Sequence, residues 1–229
     1  MKFLFFILMP FSQISLLFKV RAVFTKHIDG RLRNPAFPEK GRFTKKEAQT
    51  ICNAVLKESR QLQRTMPKAE SSGGKYMTRG AVGTIAIYRG IRNCGIEHAY
   101  AIELGGDIGW EFYKISTAPL KWVGRLFARN PAKQMDLMQK LAVKFILQSP
   151  DYDVVVRNPP SWSAYDIRRC PMYEYAKTFG AEEMEFFQKT NCTWDWAWGE
   201  SLVKGGYYYR TKSLCHGEEM CDQRFGSSA

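Results

Sequence analysis

The spacing of apolar residues changes character once along this chain, and that change limits what it can fold into. From residue 44 to about residue 147 the apolar side chains recur at helical intervals. Thr44 with Glu47 three residues on matches a capping box, and Ala48, Ile51, Cys52, Val55 and Leu62 predict a helix over 44–66 that ends before Pro67. Ser71-Ser72-Gly73-Gly74 reads as a flexible joint, after which Met77, Ala81, Ile85, Tyr88 and Ile91 predict a helix stopped at Asn93-Cys94-Gly95. Further helices are expected over about 96–115, 117–128 and 131–147, the last with Pro131 in its first turn and Met135, Met138, Leu141, Val143, Phe145 and Ile146 on its apolar face.

Past residue 150 the pattern shortens and turns β-branched or aromatic. Tyr152–Arg157, Trp162–Ile167 and Tyr207–Thr211 read as strands, and Asp222 and Arg224 alternate on a terminal strand. Pro171–Phe179 and Ala181–Lys189 read as helices divided by Gly180. The fold class expected is α+β: a helical N-terminal half, 44–148, followed by a small mixed α/β C-terminal unit, 149–229, together forming one domain. No internal repeat is visible.

Residues 1–43 read as an apolar leader and a basic linker. Met1–Phe18 is almost wholly apolar but broken by Pro10, Ser12, Gln13 and Ser15. That is short for a spanning helix of ~20 residues. It has no clear small-x-small cleavage site. Between Lys19 and Lys46 stand nine basic residues against Asp29 and Glu39, whereas from Pro160 onward eight basic face ten acidic. Of the formal net charge of +12, +7 thus lies between Lys19 and Lys46. An apolar wedge followed by a basic run suits an anionic membrane surface contacted through residues 1–46; a core helix or uncleaved leader is the alternative. The basic run lacks a nucleic-acid recognition module, so nucleic acid is not an expected partner. The expected location is cytoplasmic, with membrane association through the N-terminal segment.

Six cysteines, Cys52, Cys94, Cys170, Cys192, Cys215 and Cys221, follow no familiar disulfide spacing. Four lie in the last third, among Arg169-Cys170-Pro171-Met172-Tyr173-Glu174-Tyr175, Thr193-Trp194-Asp195-Trp196-Ala197, Arg210-Thr211-Lys212-Ser213-Leu214 and Gly217-x-x-x-Cys221-Asp222-x-Arg224-Phe225. In order and spacing these segments, with Ala86-Ile87-Tyr88-Arg89, Gly95 and Arg129-Asn130-Pro131-Ala132 upstream, resemble the L-2-amino-thiazoline-4-carboxylic acid hydrolase family over about residues 75–225. Gln223 departs from the pattern where an aromatic residue is expected, as do Cys215 and His216 in a stretch that is usually small.

The resemblance implies hydrolytic opening of a cyclic amidine small molecule: water adds to the carbon between ring nitrogen and sulfur, and the ring opens to a carbamoyl-cysteine. Such a step needs a base, an acid and a cation for the substrate carboxylate. The catalytic candidates are Cys170, Asp195 and Cys221. Asp195 between two tryptophans suits an acid or base of raised pKa, or a structural helix cap. Cys170 before Pro171 lies at a helix start, where a thiolate is favoured; it and Cys221 otherwise read as buried packing residues or a disulfide. Arg210, Asp222 and Arg224 are the substrate-binding candidates. His216 with Cys215, Cys221 and either Cys170 or Cys192 matches no known zinc spacing, so no metal is assigned, and the sequence names no cofactor. A different class also fits these residues: a small-molecule or metal-binding sensor that binds without turnover, tethered at a membrane surface by residues 1–43.

Overall fold

The computed structural model describes residues 19–157 and 163–228. The leader over residues 1–18 and the start of the strand expected at Trp162 lie outside the described residues. Helix α1 covers residues 19–28 and buries Val23, Phe24 and Ile28. Helix α2, Lys45–Thr65, starts as its sequence predicts: Glu47 accepts from the Thr44 backbone N–H at 2.9 Å, and the Glu47 N–H reaches Thr44 Oγ1 at 3.3 Å.

Helix α3, Ser72–Asn93, begins inside the stretch expected to be a joint. Asp151 accepts from the Ser71 backbone N–H at 2.7 Å and from Glu70 N–H at 3.1 Å. Ser71 Oγ in turn caps Gly74 N–H at 2.9 Å, and Gln148 caps Gly73 N–H at 2.9 Å. A Cβ on Gly73 would meet the Ile146 carbonyl, and one on Gly74 the Asp151 side chain, so these glycines permit close approach rather than flexibility.

The two helices expected over 96–115 and 117–128 are one, α4, His98–Phe127, with Pro119 inside it. An interior proline costs about 3 kcal/mol, a cost of the order that burial of Leu120 and Val123 offsets at about 1.5–3 kcal/mol each. Helix α5, Pro131–Phe145, is capped by the Asn130 side chain, which accepts from the N–H groups of Ala132 and Lys133. Strands β1, Asp153–Arg157, and β2, Ser163–Arg169, precede helices α6, Pro171–Ala176, and α7, Ala181–Lys189. Helix α8, Trp194–Leu202, was not expected, and strands β3, Gly206–Tyr209, and β4, Cys221–Ser227, complete the chain. The fold is α+β, helical first and sheet-bearing last.

The chain divides into two compact units. The first holds the residues through Thr65, Val82–Thr117 and Gly180–Asn191. Its core includes Phe24, Ile51, Val55, Ile85, Ile91, Leu104 and Ile108, with Tyr88 stacked on Phe186 at 5.1 Å between ring centroids. The second holds Met66–Ala81, Ala118–Phe179 and the residues from Cys192 on.

The second unit is built on an antiparallel sheet of order β1-β2-β4-β3. Register pairs Tyr165 with Gln223, Ile167 with Cys221 and Tyr208 with Phe225. By the two-residue alternation of strands, these six side chains share one face. Helix α5 covers part of it, with Tyr165 Oη donating to Gln139 Oε1 at 2.9 Å. Helix α8 covers the rest, and a Cβ on Gly199 would fall 2.6 Å from the Tyr208 Cβ.

Candidate functional site

The covered face of the sheet gathers polar chemistry that a packed core would ordinarily lack. Cys221 and Gln223 project from β4, Tyr208 from β3, and Arg210 lies one residue past the end of β3. Asp195 stands in the first turn of α8 and Cys170 at the residue before α6.

Arg210 is the centre of the arrangement. Its side chain is only 4% exposed, with Nη1 3.7 Å from Asp195 Oδ2, Nη2 donating to the Cys192 carbonyl at 3.1 Å, and its guanidinium 4.4 Å from the centroid of the Trp196 ring. Gln223 Nε2 donates to the same Asp195 oxygen at 3.2 Å. The departure at position 223 thus supplies an amide that holds the aspartate, which a phenylalanine could not do.

Four thiols surround this pair, and among the described residues no disulfide joins any of the six cysteines. The Cys170 thiol donates to Tyr152 Oη at 3.8 Å, and the N–H groups of Met172 and Tyr173 point at the Cys170 sulfur. The helix-start effect expected of Cys170 is therefore present. Burial outweighs it and pushes the Cys170 pKa up to about 12, with the nearby Cys221 adding to the rise. Cys221 accepts from Leu214 N–H at 3.3 Å and lies 3.9 Å from Ser213 Oγ, but burial raises its pKa as well. Of the two readings the sequence left open for Cys170, burial favours the protonated, buried thiol over the thiolate.

Cys192 and Cys215 are hydrogen-bonded to each other, and their ionisation splits. The Cys192 S–H lowers the pKa of Cys215, and the charge of Arg210 lowers it further; the same hydrogen bond raises Cys192. Cys215 is thus the one thiol of these four whose pKa is lowered, against the opposing effect of its burial. Tyr208 is nine-tenths buried, and its hydroxyl has no hydrogen-bond partner among the described residues. Burial raises its pKa, and the charge of Asp195 raises it further.

Cys170, Asp195, Cys221 and Arg210, all named from sequence, thus come together within the second unit. Asp222 and Arg224 do not join them, because strand alternation turns them to the opposite face of β4. Asp222 accepts from Thr211 N–H at 2.8 Å, Thr211 Oγ1 at 2.6 Å and Lys212 N–H at 2.6 Å, anchoring the segment that follows Arg210. Arg224 pairs with Asp166 at 2.8 Å, as Arg157 does at 2.9 Å.

Tyr208 and Gln223 were not singled out as catalytic or binding residues in the sequence, and Cys192 and Cys215 were considered there only for a metal site that was not assigned. The signal for two of them was legible: alternation puts Gln223 with Cys221 and Tyr208 with Arg210. Cys192 and Cys215 are joined only by tertiary structure. His216 is exposed on the turn Leu214–His216, and among the described residues no group of three or more histidine, cysteine or acidic side chains is arranged to hold a metal ion. Compared with family models, curated proteins and solved structures, the chain matches none.

Proposed function

We propose that the second unit is a hydrolase site that opens a cyclic amidine of the 2-amino-thiazoline-4-carboxylate type to a carbamoyl-cysteine. The observation that supports this reading is the gathering of Asp195, Arg210 and four thiols on one covered face of the sheet. In this reading Arg210 holds the substrate carboxylate with donors not spent on Asp195 and Cys192. Asp195 takes a proton from the water that adds to the carbon between ring nitrogen and sulfur. Cys170, kept protonated by burial, gives a proton to the departing ring atom, so the sum is substrate plus one water. Cys215 is the candidate for a covalent route: its thiolate attacks the same carbon, the bond from that carbon to the ring sulfur breaks and the sulfur takes up a proton. Water then adds to the carbon and displaces Cys215, releasing the carbamoyl product and restoring the thiol.

Incubating the full chain with 2-amino-thiazoline-4-carboxylate tests the reading by loss of the ring and appearance of the carbamoyl product. Asp195→Asn is expected to lower kcat by about 100-fold or more. Cys215→Ser is expected to do the same on the covalent route and to leave kcat within about threefold on the direct-water route, where Cys170→Ala takes the loss. Arg210→Lys is expected to act mainly on KM, because a lysine cannot reproduce the two-pronged grip. Absence of turnover, or turnover indifferent to Asp195→Asn and Arg210→Lys, rejects the proposal.

A second reading, binding without turnover, draws on a specific observation: Cys170, Cys192 and Cys221 are all held protonated, and Asp195 and Arg210 neutralise each other. Calorimetric binding of the thiazoline with no product formed favours it. The membrane tether that accompanied this reading falls partly on residues 1–18, outside the described residues.

A further inference from the structure

Helix α4 ends in a face that buries nothing. Leu120 and Val123 turn inward and are buried, while Trp122, Leu126 and Phe127 are 49%, 57% and 53% exposed. Trp122 and Leu126 are four residues apart and so lie one above the other, with Arg125 beside them on the same outward side. Phe127 is five residues from Trp122 and so about 140° round the axis, exposed because it is the last residue of the helix. Trp122 and Leu126 are the two large apolar side chains that share the outward face, and such a pair on an exposed surface marks a contact site.

Charge says what kind of contact. From Ala118 to Met135 there is no acidic residue, while Lys121, Arg125, Arg129 and Lys133 are basic. Arg125, Arg129 and Lys133 are exposed. The turn into α5 is fixed by Asn130 Oδ1, which accepts from Ala132 and Lys133 N–H, and by Gln134 Nε2, which donates to the Ala128 carbonyl at 2.8 Å. Lys133 thus sits in the first turn of α5, which holds no acidic residue, although the helix dipole there favours a negative charge. Local stability does not select that placement.

We propose that the outward face of α4 carrying Trp122, Arg125 and Leu126, with Phe127 at the helix end and Arg129 and Lys133 just beyond it, docks on the surface of a bilayer rich in anionic lipid. The apolar side chains enter the headgroup boundary and the basic ones remain at the phosphates. A tryptophan flanked by arginines fits that boundary, since its ring is apolar with one polar edge. A second copy of the chain is disfavoured, because two such faces would oppose basic to basic. Nucleic acid gives Leu126 and Phe127 nothing to enter. No helix among the described residues is long and apolar enough to cross a membrane, so the contact is peripheral. The inference does not depend on the hydrolase reading and does not involve residues 1–46.

The test is co-sedimentation of the full chain with vesicles of phosphatidylserine and phosphatidylcholine, against vesicles of phosphatidylcholine alone. Binding to the anionic vesicles that weakens with added salt is expected, each basic residue contributing roughly fivefold. Arg125→Glu with Arg129→Glu is expected to lower partitioning by about 20-fold or more, and Trp122→Ser with Leu126→Ser by a similar factor. Residues 1–18 contain no tryptophan, so brominated lipid gives an independent reading: Trp122→Phe should keep binding while losing part of the fluorescence quenching. Equal binding to neutral vesicles overturns the proposal. So does binding unchanged in both double variants, quenching unchanged in Trp122→Phe, or self-association or RNA binding that the same variants abolish in place of lipid binding.

Discussion

Asp222 shows how a residue can matter to a site from the wrong side of a strand. Its carboxylate anchors Thr211 and Lys212, the two residues after Arg210, and burial opposes its charge while those hydrogen bonds prevail and lower its pKa. Asp222→Ala should cost about 2–3 kcal/mol in urea unfolding, since hydrogen bonds to a buried charge are lost and two backbone donors go unmet. At this scale the sequence was partly legible. Cys170, Asp195, Arg210 and Cys221 were recognisable by type and spacing, and the structure gathers them. Asp222 and Arg224 carry the right chemistry, but whether a strand residue faces a site depends on register, and the residues that fill this face, Gln223 and Tyr208, were the alternating neighbours. That Cys215 rather than Cys170 ionises more readily was not legible at all. It depends on a partner thiol twenty-three positions away and on Arg210, against a burial cost that no spacing reveals.

At the scale of elements, local signals placed most helices because caps and periodicity agree there. Thr44 and Glu47 began α2 as expected, and Asn130 with Pro131 began α5. Thr44→Ala should therefore lower stability by about 1 kcal/mol in thermal or urea unfolding. The same reading failed where tertiary contact overrode it. Gly73 and Gly74 looked like a hinge, but the chain passes so near Ile146 and Asp151 that only glycine fits, and Gly73→Ala is expected to destabilise by about 1–3 kcal/mol rather than stiffen a joint. Pro119 did not divide α4, because Leu120 and Val123 are buried just beyond it. Helix α8 went unnoticed because its tryptophans and Gly199 are weak helix formers; contact with β3 and Phe225 holds it instead, Trp198 meeting Phe225 at 5.6 Å between ring centroids.

For the whole molecule, three aspartates contribute to the response to acid, beside Glu111, whose pKa the hydrogen bonds and charges of Lys114 and Lys26 bring down to about 2. Burial opposes the charge on Asp151, Asp166 and Asp222, but hydrogen bonds from Ser71, from Arg157 and Arg224, and from Thr211 and Lys212 prevail and lower all three pKa values. Each then contributes stability that is full above the unfolded value, about 3.9, and is lost as pH falls through the lower folded values. The melting temperature should hold near neutral pH and drop steeply below about pH 4, and Asp166→Asn should flatten that drop. The fold class was legible from the single change in periodicity, but the division of the chain was not. Each unit draws on stretches far apart in sequence, and Gly180–Asn191 belongs to the first while its neighbours on both sides belong to the second. Phe186 and Phe187, fully buried in the first unit, are therefore among the last large apolar residues a ribosome would deliver to that core. Neither core can close while the chain is still being made up to that point, so folding is expected to follow synthesis rather than accompany it, and a nascent chain halted before Gly180 should remain open to protease throughout.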